Sequence, residues 1–125
     1  FSRIEIYKGD RGEFYRSEFR EAINSDLERV TTYDQHGETN FAISFLGTNI
    51  IADACIISER AYLSRIPSSL GITKTYLVKG DRVVVLDSTG DGNWLKVRYL
   101  GKIVTEAWVS QEMLSFSAVD HCGER

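Results

Sequence analysis

The feature that most constrains the fold is a series of short apolar segments separated by polar turns in the second half of the chain. The clearest of these segments span residues 75–86, 94–99 and 107–109. A Lys79-Gly80-Asp81 turn interrupts the first segment, and a run rich in Gly, Asn and Asp at residues 87–93 follows it. Gly, Asn and Asp tolerate the left-handed backbone angles of tight turns. Short strands at this spacing, with so little helix, predict a small closed β-barrel.

The first half of the chain also carries strand patterns. Residues 4–7 alternate in polarity, and residues 30–33 are rich in β-branched and aromatic side chains, which is typical of strands. Residues 41–46 and 50–58 are mostly apolar and flank a turn that contains Gly47. This pattern predicts a hairpin of two buried strands.

One segment of the first half predicts a helix. Tyr15, Phe19, Ile23 and Leu27 recur every four residues, with charged side chains between them. On a helix this spacing places the four apolar groups on one face. Two interpretations remain, an amphipathic helix that packs on the core and a helix that binds a partner.

Several motifs of the second half occur together. They are Tyr76-Leu77 before Lys79-Gly80-Asp81, the Asp91-Gly92 turn before Trp94, Lys96-Val97, and Trp108-Val109 before Leu114. With these motifs, residues 58–117 resemble the bacterial Src-homology-3 (SH3b-type) domain family. The resemblance implies a mainly β fold with a small SH3-like barrel in the C-terminal half. The resemblance does not extend to residues 1–56. From the patterns above we expect residues 1–57 to form a β-rich subdomain with one short helix that packs against the barrel, and residues 118–125 to form a tail.

The same resemblance implies a non-catalytic module of the bacterial cell envelope. Members of the family bind cell-wall peptides or dock on a protein partner, so the expected site comprises Trp94, Tyr76, Tyr99, Asp91 and Asn93. Trp94 is either a platform for the ligand or a packing residue, whereas Trp108 is expected in the core. Ser110 and Met113 replace the Pro and Tyr of polyproline-binding relatives, which disfavours a polyproline ligand.

Charge and hydropathy exclude two classes of partner. The formal net charge is −3 with a pI near 5.4, and no basic patch is visible, which argues against nucleic acid. Residues 1–56 contain 6 basic and 10 acidic groups, so this half carries −4. The longest apolar run, at residues 41–57, is interrupted by polar groups and is not expected to span a membrane.

The two cysteines, Cys55 and Cys122, permit three interpretations. A disulfide between them would tie the C-terminal tail to the body and indicate a periplasmic or extracellular protein. They are otherwise two separate thiols, with Cys55 as a buried small apolar residue, or a reactive or metal-binding pair. Closing so long a loop with a disulfide would stabilise the fold by about 4 kcal/mol on the chain-entropy model.

No motif in the sequence predicts catalysis, a metal site or a cofactor. His36 lies in a polar turn, and the adjacent Asp120, His121 and Cys122 cannot form a scaffolded nucleophile–base pair. We therefore expect a binding module and no enzyme. Two alternatives are an immunity or inhibitor protein that occludes a toxin or wall hydrolase, and a structural fragment that docks through residues 41–57. The oligomeric state is left open by the sequence.

Overall fold

A computed structural model describes residues 2–12, 14–48 and 50–116 of the chain. Its strands are β1 (Ser2–Lys8), β2 (Phe14–Ala22), β3 (Leu27–Asp34), β4 (Thr39–Phe45), β5 (Asp53–Ile56), β6 (Arg60–Ser64), β7 (Ile72–Val78), β8 (Arg82–Ser88), β9 (Trp94–Leu100), β10 (Val104–Ser110) and β11 (Leu114–Ser115). Single 3₁₀ turns lie at Ser69–Gly71 and Gln111–Met113. The fold is therefore mainly β, as the sequence predicts.

The strands form two sheets. The first is a four-stranded antiparallel meander in the order β1-β2-β3-β4. The second has seven strands in the order β11-β5-β8-β9-β10-β6-β7 and curls into a half-barrel. Strand β5, which precedes the boundary predicted at residue 57, pairs with β8 in this second sheet. The N-terminal half thus contributes a strand to the barrel.

The barrel core follows from the alternation in its strands. Val83 and Val85 of β8 and Leu95 and Val97 of β9 are buried, while the residues between them point to the other face. Val109 of β10 completes this layer. The alternating pattern that predicted the barrel is therefore the pattern that fills its interior.

One face of the four-stranded sheet packs on the barrel, through the part of β3 and β4 that lies nearest to it. Leu27 of β3 and Ile43 of β4 belong to the same buried cluster as the barrel side chains. Beside them, Arg29 Nε donates a hydrogen bond to Asp87 Oδ1 of β8 at 2.9 Å. One hydrophobic core thus connects the two sheets.

The predicted helix is wrong, because residues 14–22 and 27–34 are paired strands. Asn24 forms the turn between them, and its Oδ1 accepts hydrogen bonds from the backbone N–H groups of Asp26 and Leu27. A spacing of four residues is even, so it places side chains on one face of a strand as well as of a helix. The apolar spacing alone could not distinguish the two structures.

The predicted hairpin of residues 41–46 and 50–58 is also only partly formed. Its two arms meet at a single bridge between Ser44 and Ile51, after which β5 leaves for the other sheet. Ala52 makes the crossing: its N–H donates to the Ile43 carbonyl at 2.8 Å, and its carbonyl accepts from Val85 N–H at 3.0 Å. This segment is apolar because the chain passes through the core here on its way from the first sheet to the second.

The second face of the four-stranded sheet carries a charged network. Its members are Arg3, Glu5, Arg16, Glu18, Arg20 and Glu28, joined by ion pairs and by the Tyr7 hydroxyl. Arg20 lies at the centre, 2.7 Å from Glu28 and 3.0 Å from Glu18. Burial would lower the pKa of Arg20, but its hydrogen bonds to Glu28 and Glu18 raise it above the ordinary value. The network contains three cations and three anions, so its net charge is zero.

Candidate functional site

Two tyrosines on the β6–β7 hairpin form the best-organised exposed aromatic pair of the barrel. Tyr62 and Tyr76 are direct cross-strand partners, with ring centroids 5.4 Å apart and an interplanar angle of 63°. Tyr62 alternates with the buried Ala61 and Leu63, so its ring lies on the outer face. Both rings keep about two fifths of their surface exposed and hold a fixed edge-to-face geometry.

Arg60 completes this arrangement. Its guanidinium carbon lies 5.0 Å from the centroid of the Tyr76 ring, within the range of a cation–π contact. A hydrogen bond with the Tyr62 side chain raises the pKa of Arg60 above its ordinary value. An arginine side chain is in any case charged at neutral pH. The tyrosine pair thus carries a permanent positive charge at its edge.

Trp94 and Trp108 lie on the outer face of the same sheet. Trp94 alternates with the buried Leu95, and Trp108 alternates with the buried Val109. Both indoles are half-buried, so Trp108, which was expected in the core, lies on the outer side of the barrel wall. Strand β10 separates Trp94 from the β6–β7 hairpin. We call Arg60, Tyr62, Tyr76 and Trp94 the aromatic face.

The loop before Trp94 is held by its own polar side chains. Asp91 Oδ1 accepts hydrogen bonds from the Thr89 hydroxyl at 2.6 Å and from Asn93 N–H at 3.0 Å. Thr89 N–H donates to the Trp94 carbonyl, and the Asn93 carbonyl accepts from Gln111 N–H at 2.9 Å. Asp91 and Asn93, predicted as ligand-binding residues, therefore position the start of β9 in this structure.

Replacement of Asp91 by alanine is expected to loosen this loop and leave the barrel folded, because the carboxylate is exposed and its partners are local. The hydrogen bonds from Thr89 and Asn93 hold the pKa of Asp91 below its ordinary value of 3.8. Because the pKa of Asp91 is lower in the folded state, its ionised carboxylate stabilises the loop at any pH above the pKa of the unfolded state. This stabilisation is lost as the pH falls through the pKa of the folded state.

The check is an NMR titration of the Asn93 amide in acid. In the native chain its resonance should shift at a pH below 3.8, and in Asp91→Ala this step should be absent. Asp10→Ala, which removes an exposed turn carboxylate elsewhere, is the control and should leave the step in place. A native chain without the step would contradict this role of Asp91.

Tyr99 does not share the surface of Trp94. It lies on the opposite face of β9, where it packs against the buried core, and its ring lies close to Gly101. The structure thus brings Trp94, Asp91 and Asn93 together. It places Tyr76 on the outer face of β7, which lies two strands beyond β10 in the sheet order, and Tyr99 on the inner face of β9.

Tyr62 and Arg60 were missed as site residues. The signal was present, since Ala61-Tyr62-Leu63 alternates in polarity and the side chains flanking Tyr62 are the ones that enter the core. Pairing Tyr62 with Tyr76 required the register of the hairpin, which a bulge after Tyr62 shifts. Composition alone does not specify that register.

Cys55 lies on β5, next to Ser115 of β11. It alternates with Ala54 and Ile56, which face the core, and it is buried although it belongs to the other face of the strand. Cys122 lies outside the described residues, together with His121 and the rest of the predicted tail. The disulfide between Cys55 and Cys122 therefore stays a prediction.

The described residues contain no group of three or more His, Cys, Asp or Glu side chains arranged to hold a metal ion. In the same part of the chain, no helix has the length and hydropathy needed to cross a membrane. His36 is exposed in the β3–β4 turn, where Asp34 Oδ1 accepts its backbone N–H at 2.8 Å.

Comparisons of the chain with protein-family models, with curated proteins and with solved structures give no match. The chain is thus characterised by its fold and surface alone, as a curled half-barrel sheet joined to a four-stranded sheet, with aromatic side chains on the outer side of the half-barrel.

Proposed function

We propose that the protein is a non-catalytic binding module of the bacterial cell envelope that recognises a cell-wall peptide through its aromatic face. The observation that carries the proposal is the exposed Tyr62–Tyr76 pair, fixed edge to face at 5.4 Å with Arg60 against it. Exposed rings that already hold one geometry lose little conformational entropy on binding. Aromatic and Arg side chains also contribute much of the binding energy in protein recognition.

The chemistry of a wall peptide suits this surface. Such peptides carry small apolar side chains and free carboxylates, so their aliphatic groups would pack on the rings of Tyr76 and Trp94. The Arg60 guanidinium would pair with a carboxylate. The loop held by Asp91 keeps Trp94 in place for this contact. A periplasmic or extracellular location belongs to the same proposal and agrees with the predicted Cys55–Cys122 disulfide.

Co-sedimentation with purified cell-wall sacculi tests this function. Tyr76→Ala and Trp94→Ala should each weaken binding about tenfold, which corresponds to about 1.4 kcal/mol for the loss of one aromatic contact. Tyr33→Ala is a matched control, because Tyr33 is 41% exposed against 39% for Tyr76 but lies on the four-stranded sheet. If the native chain binds and all three variants bind equally well, the proposed site is overturned. If the native chain does not bind sacculi, the proposed ligand class is overturned.

A second candidate function is an immunity or inhibitor protein that occludes a toxin or a wall hydrolase. It is favoured by the exposed apolar side chains of the four-stranded sheet, among them Ile4 and Ile6, which suit a protein surface better than a wall peptide. A one-to-one complex with a lysozyme-type muramidase that blocks its activity would support this function. Unchanged muramidase activity at equimolar protein would count against it.

A further inference from the structure

Away from the barrel, the four-stranded sheet exposes apolar side chains on one face, while several charged side chains on its other face are buried. Ile4 is 70% exposed and Ile6 is 60% exposed, whereas Glu28 and Arg20 on the other face are 1% and 4% exposed. Folded proteins normally show the reverse distribution, because burying charge is costly and burying apolar surface is favourable. The exposed apolar side therefore has the character of a surface that another molecule covers.

This surface is built from two complete rows of cross-strand neighbours. One row is Ile4, Phe19, Thr31 and Phe41, and the other is Ile6, Ser17, Tyr33 and Thr39. We call these eight residues the open face. None of them is ionisable except the Tyr33 phenol, and the same face packs on the barrel further along, through Leu27 and Ile43. Five residues of the open face are exposed, Ser17 and Phe19 are half-buried, and Thr31 at the centre is buried among its neighbours.

A cleft of about 230 Å³ lies where the open face meets the barrel. Phe41 and Leu86 supply its apolar lining. Its polar lining consists of Thr39, Asn40, Asp87, Lys96 and Arg98. The ring of Phe41 is supported by the Arg29 guanidinium, whose carbon is 4.4 Å from the ring centroid. The cleft thus continues the open face towards a group of charged side chains.

The charges of the cleft leave one cation uncompensated. Asp87 pairs with Arg29 at 2.9 Å, and Arg98 pairs with Glu106 at 2.7 Å. Lys96 has no ion-pair partner among the described residues, and it is half-buried, whereas the other four lysines are exposed. Its direct cross-strand neighbours are Asp87, whose carboxylate pairs with Arg29, and Trp108. An ammonium group without an ion pair of its own is complementary to a carboxylate from outside.

We propose that the open face and the cleft together dock an extended segment of a partner protein, whose apolar side chains cover the open face and whose one acidic residue pairs with Lys96. Three interstrand spacings of about 4.8 Å separate β1 from β4, which about four or five extended residues span. A second copy of the chain fits less well. Its open face offers no carboxylate for Lys96, and Glu5, Glu18 and Glu28 are held by arginines on the other face.

The test is an array of immobilised nine-residue peptides in which Ile, Val or Phe alternates with Thr and the last residue is Glu, Gln or Lys. The labelled full chain should bind Glu-ended peptides about fivefold more tightly than Lys-ended ones. Lys96→Glu should reverse this preference, and Phe41→Ser should weaken binding to every peptide. Lys74→Glu, at an exposed lysine of β7, is the matched control and should keep the native preference.

Three outcomes would overturn the proposal. They are no binding to any of these peptides, a preference for Glu that Lys96→Glu does not change, and a dimer in sedimentation equilibrium that Ile4→Lys dissolves. The last would assign the open face to self-association. Tyr76 lies on β7, three strands away from Lys96 of β9 in the sheet order. Tyr76→Ala should therefore bind the array as the native chain does, so this test and the sacculus test fail independently.

Discussion

Arg20→Ala is expected to lower the free energy of unfolding by about 3–5 kcal/mol, since it removes the nearest cation from two buried carboxylates. Arg20 is the centre of the charged network, where it contacts Glu28 at 2.7 Å and Glu18 at 3.0 Å and also donates to the Thr48 carbonyl. Glu28 is almost fully buried, so water cannot replace the guanidinium. Urea unfolding, followed by circular dichroism, measures the change.

Arg98→Ala is the matched control for that experiment. Arg98 also pairs with a glutamate, at 2.7 Å from Glu106, but both side chains are about two fifths exposed. Exposed ion pairs contribute about 0–1 kcal/mol, so this variant should unfold almost as the native chain does. If Arg20→Ala loses no more stability than Arg98→Ala, the charged network is solvated in solution and its burial contributes nothing to stability.

The charged network also explains why one part of the fold was mispredicted. In β2, Arg16, Glu18 and Arg20 alternate with Ser17 and Phe19, a period of two that is typical of a strand. The apolar residues of this segment recur every four positions, and that spacing fits a helix equally well. The charges carried the information that decides between the two structures, because they line one face of a strand and would be scattered around a helix.

Local patterns predicted the barrel well, because alternation and turn residues specify β8, β9 and β10 without reference to distant parts of the chain. The crossing at Ala52 could not be predicted in this way. It depends on the hydrogen bond from Val85 N–H of β8 to the Ala52 carbonyl, which joins segments that are distant in the chain. A hairpin between neighbouring segments is the simplest pairing, but the core selected a different partner for β5.

The candidate site was predictable to a similar extent. Tyr76 and Trp94 follow from strand parity, since each alternates with a side chain that enters the core. Tyr99 has the opposite parity to Trp94 on the same strand, so counting along β9 would have separated the two. The role of Asp91 depends on the fold of its loop, where Thr89 and Asn93 engage the carboxylate.

Ile43→Ala should destabilise both sheets together, by about 2–5 kcal/mol. Ile43 is fully buried on β4, yet it belongs to the cluster that fills the barrel, so its loss leaves a cavity in the shared core. Both tryptophans, Trp94 and Trp108, lie in the barrel, so their fluorescence reports on that sheet alone. Circular dichroism reports on both sheets, and the two midpoints in urea should shift by the same amount.

Ile4→Ala is the control, because it removes an exposed side chain and should change stability by no more than about 0.5 kcal/mol. Separate midpoints for fluorescence and circular dichroism in Ile43→Ala would mean that the four-stranded sheet unfolds on its own. Coincident midpoints would mean that one core fixes both sheets. The aromatic face and the open face would then keep a constant geometry, so one chain could hold a wall peptide and a partner protein at a defined distance.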